Sequence, residues 1–179
     1  MTNYLIGELT THRLNGSVLE GYDWAGNDLV RIAVEEFVST LRWSKGIGFV
    51  GWLGVGKTHL LVSLYKERMW KAVYNDGQIP VWLSFFELVE LWDTNKSGVF
   101  DVLNRGEIIF IDDLFCLGYT MKETSIIRDV VYKCYDDNKV LCFTSNVLLE
   151  NWDVDDRAKD RLREMILTLE VVGESRRSR

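Results

Sequence analysis

The sequence predicts an α/β fold, a five-stranded parallel sheet sandwiched between helices. Two observations carry that expectation. Short apolar runs rich in β-branched residues recur at residues 47–50, 79–84, 107–111, 140–144 and 167–172, the pattern of strands buried on both faces. Amphipathic stretches separate them, and strand–helix alternation of this length implies parallel crossover units.

Taken in order, the first helix is expected over 27–41, with apolar positions at Leu29, Ile32, Ala33, Phe37 and Val38. The strand at 47–50 runs into a glycine-rich loop, and the helix after it, 58–73, repeats Leu61, Leu64, Tyr65 and Met69. The strand at 79–84 leads to Phe85 and Phe86, and that at 107–111 ends in Asp112 and Asp113. A third helix, 124–137, repeats Ile127, Val130, Val131 and Cys134. The strand at 140–144 ends in Ser145 and Asn146, and a short, heavily charged helix at 155–165 precedes the last strand. Residues 1–20 read as an N-terminal arm and 21–179 as one domain.

Composition removes several function classes. With 179 residues, 47% of them apolar, the chain can bury one sizeable core. A net charge of −6 argues against a broad basic surface that coats nucleic acid. The three cysteines (Cys116, Cys134, Cys142) show no C-x-x-C spacing and read as reduced thiols. With only two histidines, a zinc site would need clustered cysteines, and these three are not clustered. No G-x-S-x-G turn is present to carry a serine triad. No apolar run approaches the ~18 residues of a membrane span, and residues 1–13 lack a signal pattern. A cytoplasmic protein without a membrane partner is expected.

Residues 51–58, Gly-Trp-Leu-Gly-Val-Gly-Lys-Thr, satisfy G-x-x-x-x-G-K-[ST] without mismatch. The context fits, with an apolar strand before and a helix after. The glycines let backbone N–H groups wrap phosphate oxygens, and the helix adds its positive N-terminal end. The expected nucleotide-binding set is Gly51, Trp52, Leu53, Gly54, Val55, Gly56, Lys57, Thr58 and His59. Lys57 reaches the β- and γ-phosphates and Thr58 holds Mg²⁺; His59 also has a plain packing reading. Four apolar residues followed by Asp112-Asp113 form the acidic partner of such a loop. Asp112 is expected on Mg²⁺ and Asp113 as the base that polarises the attacking water. Asn146, at the next strand's polar end, is expected near the γ-phosphate, with a strand-end cap as the plain alternative. The cofactors implied are ATP and Mg²⁺.

Together these segments resemble AAA+ ATPases of the DnaC/DnaI helicase-loader type and their IstB relatives. The resemblance rests on GWLGVGKTHL (51–60), IIFIDDL (108–114), FTSN (143–146), DRAKDRLR (156–163) and GESR (173–176). It implies a P-loop NTPase of the ASCE type, with an additional strand between the loop strand and the acidic strand. Little or no C-terminal lid is expected. It gives Arg157 and Arg161, one helical turn apart, the role of completing a neighbouring subunit's ATP site or sensing nucleotide in their own. A solvated charged helix is the plain reading of both. It implies ATP hydrolysis in DNA replication, a homo-oligomer joined through ATP, and a replicative helicase or host loader as partner. Loaders carry an N-terminal helicase-gripping domain, whereas about 20 residues precede the ATPase body here, so a minimal, phage-encoded or partner-dependent form is expected. Two alternatives stay open: an IstB-like helper that loads a transposase, and a nucleotide-binding module that blocks a host loader or helicase. Single-stranded DNA enters only through Lys66, Arg68 and Lys71 on one helix and Arg176, Arg177 and Arg179 in the tail. Their plain reading is solvated surface.

Overall fold

A computed structural model describes residues 18–74, 78–115 and 120–176. The expected N-terminal arm therefore lies, up to residue 17, outside the described residues, as do Cys116, Arg177 and Arg179. Five strands, β1 (Gly46–Val50), β2 (Pro80–Ser84), β3 (Ile108–Leu114), β4 (Val140–Ser145) and β5 (Ile166–Glu170), pair in parallel in the order β2-β3-β4-β1-β5. The expected α/β class and five-stranded parallel sheet are present. β4 lies between β1 and β3, as the additional strand of this fold class requires.

Two cores follow from the alternation of strand side chains. Ile47, Phe49, Ile108 and Phe110 pack with Leu60, Leu61, Leu64 and Val34 under α1 (Asp28–Ser39) and α2 (Lys57–Tyr74). Ile109, Ile111, Leu141 and Phe143 face the other way, against α3 (Phe85–Thr94), α4 (Lys96–Leu103), α5 (Met121–Asp136) and α6 (Asp156–Met165). On that second face β1 carries Gly46 and Gly48 in alternate register, with Val50 at the strand's end. A Cβ at Gly48 would sit 2.5 Å from the Phe143 ring, so the ring takes the space a side chain would fill.

α3 and α4 were not foreseen from periodicity. α3 begins with a capping box: the Ser84 Oγ accepts the Glu87 N–H at 3.2 Å, and the Ser84 N–H donates to Glu87 Oε2 at 2.6 Å. Thr120 and Glu123 repeat the device at the start of α5, which begins three residues earlier than its apolar repeat indicates. The Asp155 carboxylate caps α6 by accepting the Ala158 N–H at 3.0 Å. Ion pairs Lys122–Asp93 and Lys96–Asp129 tie α3 and α4 to α5.

The acidic pair corrects one expectation. β3 does not stop at Ile111 but runs through Asp112 and Asp113 to Leu114. Ile111 pairs with Phe143 and Leu114 with Ser145, so two residues of β3 oppose the single Thr144 of β4. This is a β-bulge, a device found beside active sites because it re-aims side chains.

Candidate functional site

The glycine-rich loop leaves β1 at its C-terminal end and returns into α2, so the loop amides gather at that helix's N-terminus. Gly51, Gly54 and Gly56 adopt φ of 141°, 84° and 107°, the left-handed side of the map that side chains disfavour. Space is closed as well as conformation. A Cβ on Gly54 would lie 2.2 Å from Ser175 Oγ, and one on Gly56 would lie 2.8 Å from Tyr22 Oη. At these positions a side chain enters only if its neighbours are displaced and the backbone is strained.

Lys57 is 5% exposed. Its ammonium donates to the carbonyls of Gly51 and Trp52 at 2.8 Å each and to Asn146 Oδ1 at 2.7 Å. The cation is thus held over the loop, on carbonyls that phosphate oxygens can replace. Thr58 Oγ1 donates to Asp112 Oδ1 at 3.0 Å, and Thr144 Oγ1 donates to the same oxygen at 2.5 Å. The Asp113 N–H donates to Thr144 Oγ1 at 2.8 Å. Burial, and after it the charge of Asp113, pushes the Asp112 carboxyl up to about 6, although the Thr144 and Thr58 hydroxyls pull it down. A carboxylate so desolvated gains most from a cation brought beside it. Among the described residues no group of three His, Cys, Asp or Glu forms a metal cluster. The Thr58 hydroxyl and Asp112 carboxylate are instead the hard oxygen donors that Mg²⁺ takes alongside phosphate and water. The residues fit both ATP and Mg²⁺.

The structure thus brings Lys57, Thr58, Asp112, Asp113 and Asn146 to one edge of the sheet. Other residues of the expected set contribute differently. Trp52 and Leu53 are exposed at the crown of the loop, Trp52 by 83%, so the loop uses their backbone. Val55 is buried. His59 packs its ring 5.4 Å from that of Tyr22, with Nε2 2.9 Å from the Val18 carbonyl oxygen, in keeping with its plain packing reading.

Arg157 and Arg161 part company. Arg161 is clamped on α5: its guanidinium lies 4.4 Å and 4.5 Å from the Tyr132 and Tyr135 ring centres and pairs with Asp136 at 3.1 Å. Arg157, one turn nearer the start of α6, is exposed and only grazes Tyr132 at 5.6 Å. Arg68 corrects the reading of a basic α2 face. It is fully buried, stacked 4.7 Å over Trp43, and donates to Leu41 O at 2.8 Å. Lys71 likewise donates to Val38 O. Neither is laid out for a phosphate backbone.

Sequence reasoning missed the C-terminal wall of the loop. The Arg176 N–H donates to Gly54 O at 2.9 Å, and the Arg176 guanidinium lies 4.2 Å over the Tyr22 ring. The Tyr22 hydroxyl donates to Val55 O at 3.3 Å. The Asn27 side chain exchanges two hydrogen bonds with the Val172 backbone, at 2.8 and 2.9 Å. The quoted GESR segment was the available signal. Thr144 was missed too, although it lies within the quoted FTSN.

No protein-family model and no curated protein sequence matches the chain. Solved structures do. A crystal structure of the DnaC helicase loader superposes with a TM-score of 0.72 at 19% identity, covering 89% of this chain and 99% of that one. A DnaI structure gives 0.72 at 19% identity over 92% and 93%. The replication initiator DnaA, bound to AMPPCP and single-stranded DNA, gives 0.69 at 22% identity over 90% of this chain. DnaA from Aquifex aeolicus, also AMPPCP-bound, gives 0.70 at 20% identity over 92% of this chain. This chain spans about half the length of those DnaA structures, 51% and 53%. Among its described residues no helix is long and apolar enough to cross a membrane. The chain has the fold of the AAA+ P-loop ATPases, and its structural neighbours include the DnaC and DnaI helicase loaders.

Proposed function

We propose that the chain binds and hydrolyses ATP as a helicase-loader-type ATPase in DNA replication. One observation carries the reading: at the mouth of a glycine cradle Lys57 is bonded to Asn146, and beside it Thr58 is bonded to Asp112. ATP phosphates lie on the loop amides and the start of α2, and Lys57 exchanges its carbonyl partners for phosphate oxygens. Thr58 and Asp112 hold Mg²⁺. Bound there, the ion would neutralise charge that develops on the phosphates. Asp113 accepts the proton of the attacking water, and Asn146 orients that water or the γ-phosphate.

Arg157 serves a neighbouring subunit's ATP in a homo-oligomer. Its exposure supports that role, and the clamp on Arg161 supports a positioning role for the latter. A replicative helicase, or the loader of a host, is the protein partner. The likeness to an initiator bound to single-stranded DNA brings that ligand into view, although Arg68 and Lys71 of α2 are turned to structural use.

Lys57→Ala should abolish ATP binding, measured calorimetrically, with the fold intact by circular dichroism. Asp113→Asn should bind ATP and turn over slowly. Undiminished ATP binding by Lys57→Ala overturns the assignment of the site. Pull-down with and without ATP should retain a helicase or loader; retention of a transposase instead selects the IstB-like reading.

A further inference from the structure

Thr144 is the β4 residue that stands opposite both aspartates on the bulge, and it is fully buried. Its hydroxyl is used twice, accepting the Asp113 N–H at 2.8 Å and donating to Asp112 Oδ1 at 2.5 Å. A hydroxyl is among the few side-chain groups able to do both at one atom. The backbone it meets is unusual, because Asp113 adopts φ of 58°. An L-residue other than glycine rests there at a cost of about 1–2 kcal/mol and needs its surroundings to hold it. The result is one continuous chain of bonds, from the Thr58 hydroxyl through Asp112 Oδ1 and the Thr144 hydroxyl to the Asp113 amide.

We propose that Thr144 is a positioning residue that locks the bulge, fixing Asp112 beside Thr58 and Asp113 in its left-handed turn. It acts through the Asp112 carboxylate and the Asp113 backbone. The inference rests on the nucleotide-hydrolysing reading for its purpose, but the lock itself is a property of the free protein. The competing account is that the Thr144 methyl group merely fills the core. The two differ in what substitution does. Valine keeps the shape and loses both bonds, whereas serine keeps both bonds and loses the methyl group.

The test compares Thr144→Val and Thr144→Ser with the parent by two measurements. In free protein, hydrogen exchange at the Asp113 amide should quicken about tenfold or more in Thr144→Val, the loss of one buried hydrogen bond, and stay slow in Thr144→Ser. ATP affinity measured in EDTA should be the same for all three. The gain in affinity on adding Mg²⁺ should shrink about tenfold in Thr144→Val and return in Thr144→Ser. Slow exchange with a full Mg²⁺ gain in Thr144→Val, or equal losses in both variants, overturns the proposal in favour of packing. If the parent itself binds no ATP, the nucleotide reading fails, and amide exchange alone still decides whether the lock exists.

Discussion

Replacing Asp112 by asparagine separates the electrostatic cost of the site from its use. The Asp112 carboxyl stands at about 6 against an ordinary 3.8, chiefly through burial. Between those values the folded chain keeps a proton that the unfolded chain has released. The contribution to stability is therefore full below about pH 4 and is lost as pH rises through about 6. At about 1.36 kcal/mol for each pH unit, the cost of the charged form reaches about 3 kcal/mol at neutral pH. An amide keeps an acceptor oxygen for the Thr58 and Thr144 hydroxyls and carries no charge. Asp112→Asn should therefore stabilise the metal-free protein by up to about 3 kcal/mol near pH 7.5, a rise of roughly 6–12 °C in Tm for a chain of this size. Near pH 4 the two proteins should melt together. Thermal unfolding in EDTA across this range measures the difference. Adding Mg²⁺ and ATP should reverse the order, because ligand binding stabilises the parent and the variant has lost a cation ligand. An equal gain at both pH values, or none near pH 7.5, would refute the claim that this carboxylate is charged and desolvated in the free site.

Gly54→Ala should push Ser175 away from the loop and strain a φ of 84°, lowering stability by about 1–2 kcal/mol and weakening ATP binding. Ser175→Gly in the same chain should recover the part due to the clash, and an absence of any recovery refutes the close packing of the C-terminal wall on Gly54. Arg161→Ala should lower Tm through about 1–2 kcal/mol of lost stacking on Tyr132 and Tyr135, whereas Arg157→Ala should leave Tm unchanged and lower turnover. Mixing Arg157→Ala with Asp113→Asn should restore activity if Arg157 works on a neighbour, since such an arginine is worth roughly 10³–10⁵ in rate. A mixture as inactive as its parents, with co-assembly intact, places Arg157 outside that role.

The sheet was legible because its strands are buried on both faces and read as apolar runs. The phosphate loop was legible because its backbone demands glycine at fixed offsets. α3 was not, since its apolar residues follow directly on β2 and blur the change of period at Ser84. The signal lay in the Ser84–Glu87 spacing of a capping box. The bulge was invisible for a different reason. Nothing in Ile-Asp-Asp-Leu states that β3 continues, because the continuation depends on a hydrogen bond from Thr144, 32 residues along the chain from Asp112. The separation of Arg157 from Arg161 was likewise set by α5, whose Tyr132 and Tyr135 supply the rings that hold only the second arginine closely.

Strand order explains why residues 144–146, at and just past the end of β4, meet both Lys57 and the acidic pair. β4 is hydrogen-bonded to β1 on one side and β3 on the other, although it comes fourth in the sequence. A residue at its end can therefore reach the loop that follows β1, and Asn146 does so through Lys57. A residue two positions earlier meets the acidic strand, and Thr144 does so through Asp112 and Asp113. No other strand is flanked by both the loop strand and the acidic strand in the order β2-β3-β4-β1-β5. Residues 144–146 thereby join Lys57, proposed to hold phosphate, to Asp112 and Asp113, proposed to hold the metal and the water. A shift of β4 by a fraction of an ångström would alter both at once. That coupling is the physical reason to expect substitutions at the polar end of β4 to change metal-dependent affinity and turnover together.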